Sequence, residues 1–206
     1  MLNVLATQRA VVGPRPTRWY DNYGPVEASL PVGVMVVNLA EAMRSTPNLV
    51  QEHLARYADC QTNAFTALNT AFIHEGAFVH IPDYVLVEEP IRLLFLSTSQ
   101  EQAVSHSRVL IVVGKNSKAT VIESYGGISD ARYFSNAVTE IVVGAGSTVE
   151  YYKVQQQSEN AFHITTTDVA LGRDSYFSSI NIDLGGRLVR NNLNVLTEGE
   201  GSSSML

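Results

Sequence analysis

From Val37 to Phe72 apolar residues recur at helical spacing, and from Phe78 onward they alternate or run together as in strands. In the first stretch Asn38 is placed to cap a short helix. Thr46 followed by Pro47 marks the start of a second, because proline at the first helical position gives up no needed hydrogen bond. Leu49, Val50, His53, Leu54 and Tyr57 fall three and four apart and predict one apolar stripe. Asn63 predicts the cap of a third helix, in which Phe65, Leu68 and Phe72 share a face while Ala64, Ala67 and Ala71 allow a close neighbour. Beyond Phe78, runs such as YVLV, RLLFLS, RVLIVV, TEIVV, VEYYKV and FHITTTDVAL are β-branched and aromatic and predict strands. Ile180, Ile182 and Leu184 alternate with Asn181 and Asp183, which predicts a strand burying its apolar face. No segment of helical length and period interrupts this region, and that excludes a doubly wound α/β fold. The break predicts a helical segment over 1–77, its first 30 residues poorly defined, and a β region over 78–206.

A longer period runs through the β region. IVVGKNSKA, IVVGAGSTV, VALGRDSYF and VLTEGEGSSSM each place a glycine three residues before a serine: Gly114 and Ser117, Gly144 and Ser147, Gly172 and Ser175, Gly199 and Ser202. The glycines are spaced by 30, 28 and 27 residues, the signature of a repeating strand, turn, strand unit. HIPDYVLVEEPI is a degenerate earlier unit, with Pro82 where the others carry glycine. Second corners are expected at Ser124 to Gly127, Gln155 to Asn160 and Leu184 to Gly186. A propeller blade repeats at a longer interval of roughly 40 to 50 residues, so the period predicts a parallel β-helix of roughly four to five coils stacked about 4.8 Å apart. The corner glycines are expected to hold a backbone conformation that a side chain would forbid, and the serines to bond the turn backbone. The last unit stops partway, at Gly199 to Leu206, as expected of a β-helix truncated at that end.

Composition narrows the function. The 206 residues carry 14 Lys and Arg against 20 Asp and Glu, a net charge of −6, and 45% are apolar, which is enough to build a core and excludes disorder. The basic residues are scattered singly, which argues against nucleic acid or an anionic membrane as partner. Cys60 is the only cysteine, so the chain forms no disulfide within itself and has no multi-cysteine metal motif. No apolar run reaches the roughly 20 residues of a membrane-spanning helix, and the N-terminus lacks the apolar core of a secretory signal. A reducing compartment is the expected setting.

The run NAFTALNTAFIHEGAFVHIPDYVLVEEPIRLLFLS, followed by VIESYGG and by NAVTEIVVGAGSTVEYYKVQQQSENAFHI, resembles the SufB/SufD family of the SUF iron-sulfur cluster assembly system. The later blocks read closer to SufD. The resemblance spans residues 31 to 206 and implies a helical N-terminal part, a right-handed parallel β-helix and a C-terminal helical region. It further implies a scaffold that is not an enzyme, pairing with a SufB-like chain or a second copy and working with the ATPase SufC. A nascent iron-sulfur cluster would then belong to the assembled complex, in the cytoplasm or, in a plant, the plastid stroma. The family's cluster-related residues lie beyond the last residues of this sequence, so none is transferred to it.

Local chemistry adds no competing site. His53, Cys60, His74, His80 and His163 show no HxH and no i, i+4 pair, so their spacing defines no metal site. There is no GxSxG elbow, no GxxxxGK[ST] loop, and Gly144 to Gly146 leads into a strand where a dinucleotide loop needs a helix. No catalytic or metal-binding residue is assigned, and cofactor-binding residues are left open. Glu88 with Glu89, or Asp168 with Asp174, would be the carboxylate pairs of a carbohydrate-cleaving or carbohydrate-binding β-solenoid, the alternative function; the plain expectation for them is solvated corners and strand faces. Gln155 to Gln157 is expected as a polar corner or a stacked ladder.

Overall fold

The computed structural model describes residues 10–12, 30–73, 75–97, 102–127 and 130–206. Among the described residues it is mainly β, with three short helices on one side. The elements in chain order are β1 (Ala10–Val12), β2 (Met35–Asn38), α1 (Leu39–Ser45), α2 (Pro47–His53), α3 (Ala64–Ala71), β3 (Glu75–Ile81) and β4 (Ile91–Ser97). They continue as β5 (Ala103–Ser105), β6 (Ser107–Val113), β7 (Lys118–Gly127), β8 (Tyr133–Val143), β9 (Thr148–Gln156), β10 (Phe162–Leu171), β11 (Tyr176–Asp183), β12 (Leu188–Thr197) and β13 (Ser203–Met205).

The strands form two sheets. Sheet I has the order β12-β10-β8-β6-β3-β2 and sheet II the order β1-β4-β7-β9-β11-β13. Successive coils contribute one strand to each, so β3/β4, β6/β7, β8/β9, β10/β11 and β12/β13 stack as a parallel β-solenoid. β2 and β1 cap the N-terminal side by pairing antiparallel to β3 and β4. The sequence period is the hydrogen-bond register: Lys118 pairs with Thr148, Thr148 with Tyr176 and Tyr176 with Ser203. The degenerate unit at Pro82 is a coil of the same stack, with Glu75 in register with Ser107.

The recurring corner joins each sheet I strand to its sheet II strand, and its chemistry differs from the expectation in one respect. The left-handed residue is the third of the corner, at Tyr84 (φ 63°), Asn116 (51°), Gly146 (69°), Asp174 (52°) and Gly201 (73°). Its N–H donates to the carbonyl of the second corner residue of the next coil, as from Asn116 to Ala145 and from Gly146 to Arg173, both at 2.8 Å. The first-position glycines have ordinary φ and are needed because the coils approach too closely there for a side chain: a Cβ on Gly144 would lie 2.6 Å from the carbonyl carbon of Gly114. The serines behave as expected. Ser147 Oγ donates to Gly114 O (2.6 Å) and accepts from the N–H of Ser117 (2.9 Å), fastening one coil to the one before. Of the second corners, Ser124 to Gly127 is strand, the last part of β7.

Between the sheets, the half nearest this corner is an apolar core that includes Val79, Ile81, Ile111, Val113, Ile141, Val143, Val149, Val169, Leu171 and Phe177. Outside sheet I lie the helices. Asn38 caps α1 through its side chain, which accepts from Ala40 N (2.8 Å), and Pro47 opens α2 as predicted. Leu39, Ala42 and Val50 pack with Phe78, Leu110 and Val112 of sheet I. α3 departs from its predicted face. Asn63 caps it, but its buried residues are Thr66 and Asn69, while Leu68 and Phe72 are exposed. Ile180, Ile182 and Leu184 are also corrected: they point outward and are 47, 42 and 65% exposed, and Asn181 and Asp183 take the inward side. That strand is two-sided in the stack, and its inward positions follow the polar column of Lys153 and Gln155 in the coil before. Among the described residues no helix is long and apolar enough to cross a membrane.

Candidate functional site

Two buried polar constellations distinguish this solenoid from a plain stack of apolar coils. One lies between the sheets, in the half of the lumen away from the glycine corner; the other lies between sheet I and the helices.

The lumen site is built by the two-residue alternation of the strands. Glu123 on β7 and Lys153 on β9 are register partners, both inward, and are 1 and 4% exposed. The Glu123 carboxylate accepts from the Tyr125 hydroxyl, from the Tyr151 hydroxyl at 2.7 Å and from Thr139 Oγ1 at 3.1 Å. Burial, and next the Glu123 charge, push both phenols well above the usual tyrosine range, so they are committed donors. The Lys153 ammonium donates to Thr165 Oγ1 (2.6 Å), which in turn donates to Asn191 Oδ1 (2.8 Å). Asn191 and Asn181 both donate to Asp183 Oδ2, at 2.7 and 2.9 Å. Burial lowers the Lys153 pKa, opposed by the charges of Glu123 and Asp183. His163 on β10 is fully buried, with its ring edge-on to Tyr125 at 4.7 Å. Burial, with Lys153 nearby, brings it down to about 3, so the imidazole is neutral at physiological pH. Gln155 and Gln157, expected in a polar corner or a stacked ladder, are both buried; Gln155 continues the inward column of Lys153, and its Oε1 accepts from Gly185 N (3.1 Å). Chemically the lumen offers a hydroxyl-clamped carboxylate, an ammonium and a neutral imidazole, all screened from solvent.

The second constellation fastens the helical layer. Arg108 on β6 and Glu140 on β8 are both fully buried and point outward from sheet I. The guanidinium reaches Glu140 Oε2 through Nη2 at 2.5 Å and Nε at 3.2 Å. The same carboxylate accepts from the backbone N–H groups of Ala55, Tyr57 and Ala58 at 2.9 to 3.1 Å. Arg108 Nη1 also donates to Asn69 Oδ1 and Thr70 Oγ1 of α3. Asn69 donates to the carbonyls of Ser107 and Asn136, which explains why the buried face of α3 is polar. Asp168, next to Glu140 in the sheet register, accepts from Asn194 (2.8 Å), and burial raises its pKa.

The residues singled out from sequence are scattered. The His53 ring meets the Tyr57 hydroxyl (3.1 Å) on the helical side, Cys60 is a free thiol in the following loop, and His80 stacks on Phe78. Only His163 enters the lumen; His74 lies outside the described residues. Among the described residues no three His, Cys, Asp or Glu side chains are grouped to hold a metal ion. Glu88 and Glu89 are exposed between β3 and β4, and Asp168 and Asp174 have separate partners, Asn194 and Arg173. The residues that sequence reasoning missed are Arg108, Glu123, Glu140 and Lys153. Each is a lone charge inside an apolar or aromatic strand run, and Glu123 and Lys153 stand one repeat apart with opposite sign, a signal that was legible.

Comparison with known proteins agrees with this architecture. Residues 15–93 match the SufBD protein N-terminal region, and residues 95–206 match the SufBD core domain of SUF system FeS cluster assembly. An iron-sulfur cluster assembly SufBD family protein of Synechocystis is 35% identical over 166 residues, covering 75% of this chain and 37% of that protein. The iron-sulfur cluster assembly protein SufB of Bacillus subtilis is 25% identical over 177 residues, 84% of this chain and 37% of its own length. A chloroplastic SufBD family protein of Arabidopsis thaliana is 27% identical, over 82% of this chain and 32% of that protein. The chain thus spans about a third of the length of these relatives. With its N-terminal region and its solenoid each matched in sequence and in the expected order, the chain belongs to the SufBD family of iron-sulfur cluster assembly proteins.

Proposed function

We propose that the chain is the solenoid part of a SufD-like scaffold in SUF iron-sulfur cluster assembly, pairing with a SufB-like chain and working with a SufC-like ATPase. The observation that carries the reading is the tandem match of N-terminal region and core domain over residues 15–93 and 95–206. The fold suits such a task. Each coil is hydrogen-bonded to its neighbours through two sheets and a corner, a stiff body on which other chains can be held in register. Ile180, Ile182 and Leu184 offer an exposed apolar row to a protein partner. The assembled cluster is cargo of the complex, and the chain acts as scaffold, not as catalyst, in the cytoplasm or the plastid stroma. A homodimer is the alternative pairing, and the carbohydrate reading is not favoured.

Co-expression with tagged SufB-like and SufC-like proteins, followed by affinity purification and size-exclusion chromatography, tests the proposal. The SufB-like chain is expected to co-elute with this one. Failure to retain either partner, together with binding on a glycan screen, overturns it.

A further inference from the structure

Among the described residues, the lumen side-chain atoms with no hydrogen-bond partner include, besides the hydroxyls of Ser107 and Thr167, five amide and imidazole atoms: Nε2 of Gln155, both amide atoms of Gln157, and both ring nitrogens of His163. Gln155, Gln157 and His163 are at least nine-tenths buried, at 0, 4 and 0% exposure. They occupy one half of the lumen. Gln155 is the register partner of Tyr125, the His163 ring rests against Tyr125, and Gln157 lies two residues beyond Gln155, buried just past the end of β9. Native folds rarely leave so many buried polar atoms unanswered in one place.

The chemistry of the five atoms discriminates among occupants. Gln157 offers a donor and an acceptor, and neutral His163 offers one of each. Gln155 offers only a donor, because its oxygen already accepts from Gly185. A metal ion could use only the Gln157 oxygen and one imidazole nitrogen and would leave the amide N–H groups unanswered, while an anion could use only the N–H donors and would leave the Gln157 oxygen and the imidazole lone pair unanswered. A small molecule that both donates and accepts suits every one of them, and a polar chamber with several such groups is the setting in which buried water is held. We propose that this half of the solenoid lumen is a hydrated chamber, in which ordered water molecules bridge Gln155, Gln157 and His163. The Lys153 ammonium, bonded to Thr165 Oγ1, is the charged group nearest in kind to extend that network towards Asn191 and Asp183. The proposal is independent of the partner assignment above.

A high-resolution crystal structure of the wild-type chain is the direct test. Ordered water within hydrogen-bonding distance of at least three of the five atoms is the expected result. Direct protein partners for all five, or an ion or another molecule in place of water, overturns the proposal. In solution, water-oxygen magnetic relaxation dispersion should detect long-lived internal water in the wild type, and Gln157→Leu should reduce that signal. If Gln157→Leu does not fold, His163→Phe serves the same comparison; an unchanged dispersion in a folded variant contradicts the chamber.

Discussion

The clasp outside sheet I and the polar lumen inside it are both buried, yet they satisfy their charges in opposite ways. At the clasp a full ion pair is completed by opposite charge, with Arg108 and three backbone N–H groups converging on one carboxylate. In the lumen the Glu123 carboxylate is held by neutral hydroxyls, and the Lys153 ammonium donates to a threonine. Several atoms around them have no protein partner. A closed constellation of the first kind sets position: it ties a loop and a helix to a chosen place on the sheet. An open one of the second kind keeps polar capacity in reserve, as buried solvent requires and a purely apolar core does not.

The clasp should fail most severely. Arg108→Met leaves a buried carboxylate without its cation, and a loss of about 3–5 kcal/mol is expected in urea denaturation. Hydrogen exchange sharpens the point. The amides of Ala55, Tyr57 and Ala58 should stay protected in Arg108→Met, because Glu140 still accepts from them, and should lose protection in Glu140→Leu. If both variants expose the loop alike, the carboxylate is not the anchor.

Acid should expose the lumen next. The folded chain keeps His163 neutral down to about pH 3, whereas the unfolded chain takes up that proton near pH 6.5. The unfolded state therefore binds more protons below that point. The stability is whole above about pH 6.5 and drains at up to about 1.4 kcal/mol per unit as pH falls towards 3. Denaturation midpoints measured from pH 7 to 4 should show this slope in the wild type and a shallower one in His163→Phe. Equal slopes would mean that the ring is open to bulk solvent.

The smallest effect is expected at the hydroxyl clamp. Tyr151→Phe removes one donor of 2.7 Å from Glu123 and leaves Tyr125 and Thr139 in place, so about 1–2 kcal/mol should be lost. A loss as large as that of Arg108→Met would erase the distinction between the two constellations.

Much of the fold was legible because its signals are local or periodic. Asn38, Pro47 and Asn63 mark helix starts through bonds made within a few residues, and the glycine spacing is the register itself. The polar burial of α3 was not legible, since Asn69 faces inward only because the carbonyls of Ser107 and Asn136 are there to receive it. Nor was the reason for the corner glycines. Gly144 is required by the approach of Gly114 from another coil, a distance that no local preference encodes.

For the candidate site the division is similar. Opposite charges one repeat apart, Glu123 and Lys153, could be found in the sequence and placed on one face of adjacent strands. Their partners on the opposite sheet, the hydroxyls of Thr139 and Thr165, could not. By itself, the sequence determined the helix caps, the strands, the period and hence the solenoid, all consequences of short-range sterics and hydrogen bonding repeated at a constant interval. Only the tertiary structure decided which polar residues look inward and what answers them. That choice depends on two sheets and a helical layer closing over groups far apart in the chain, where an unpartnered charge has no water to fall back on.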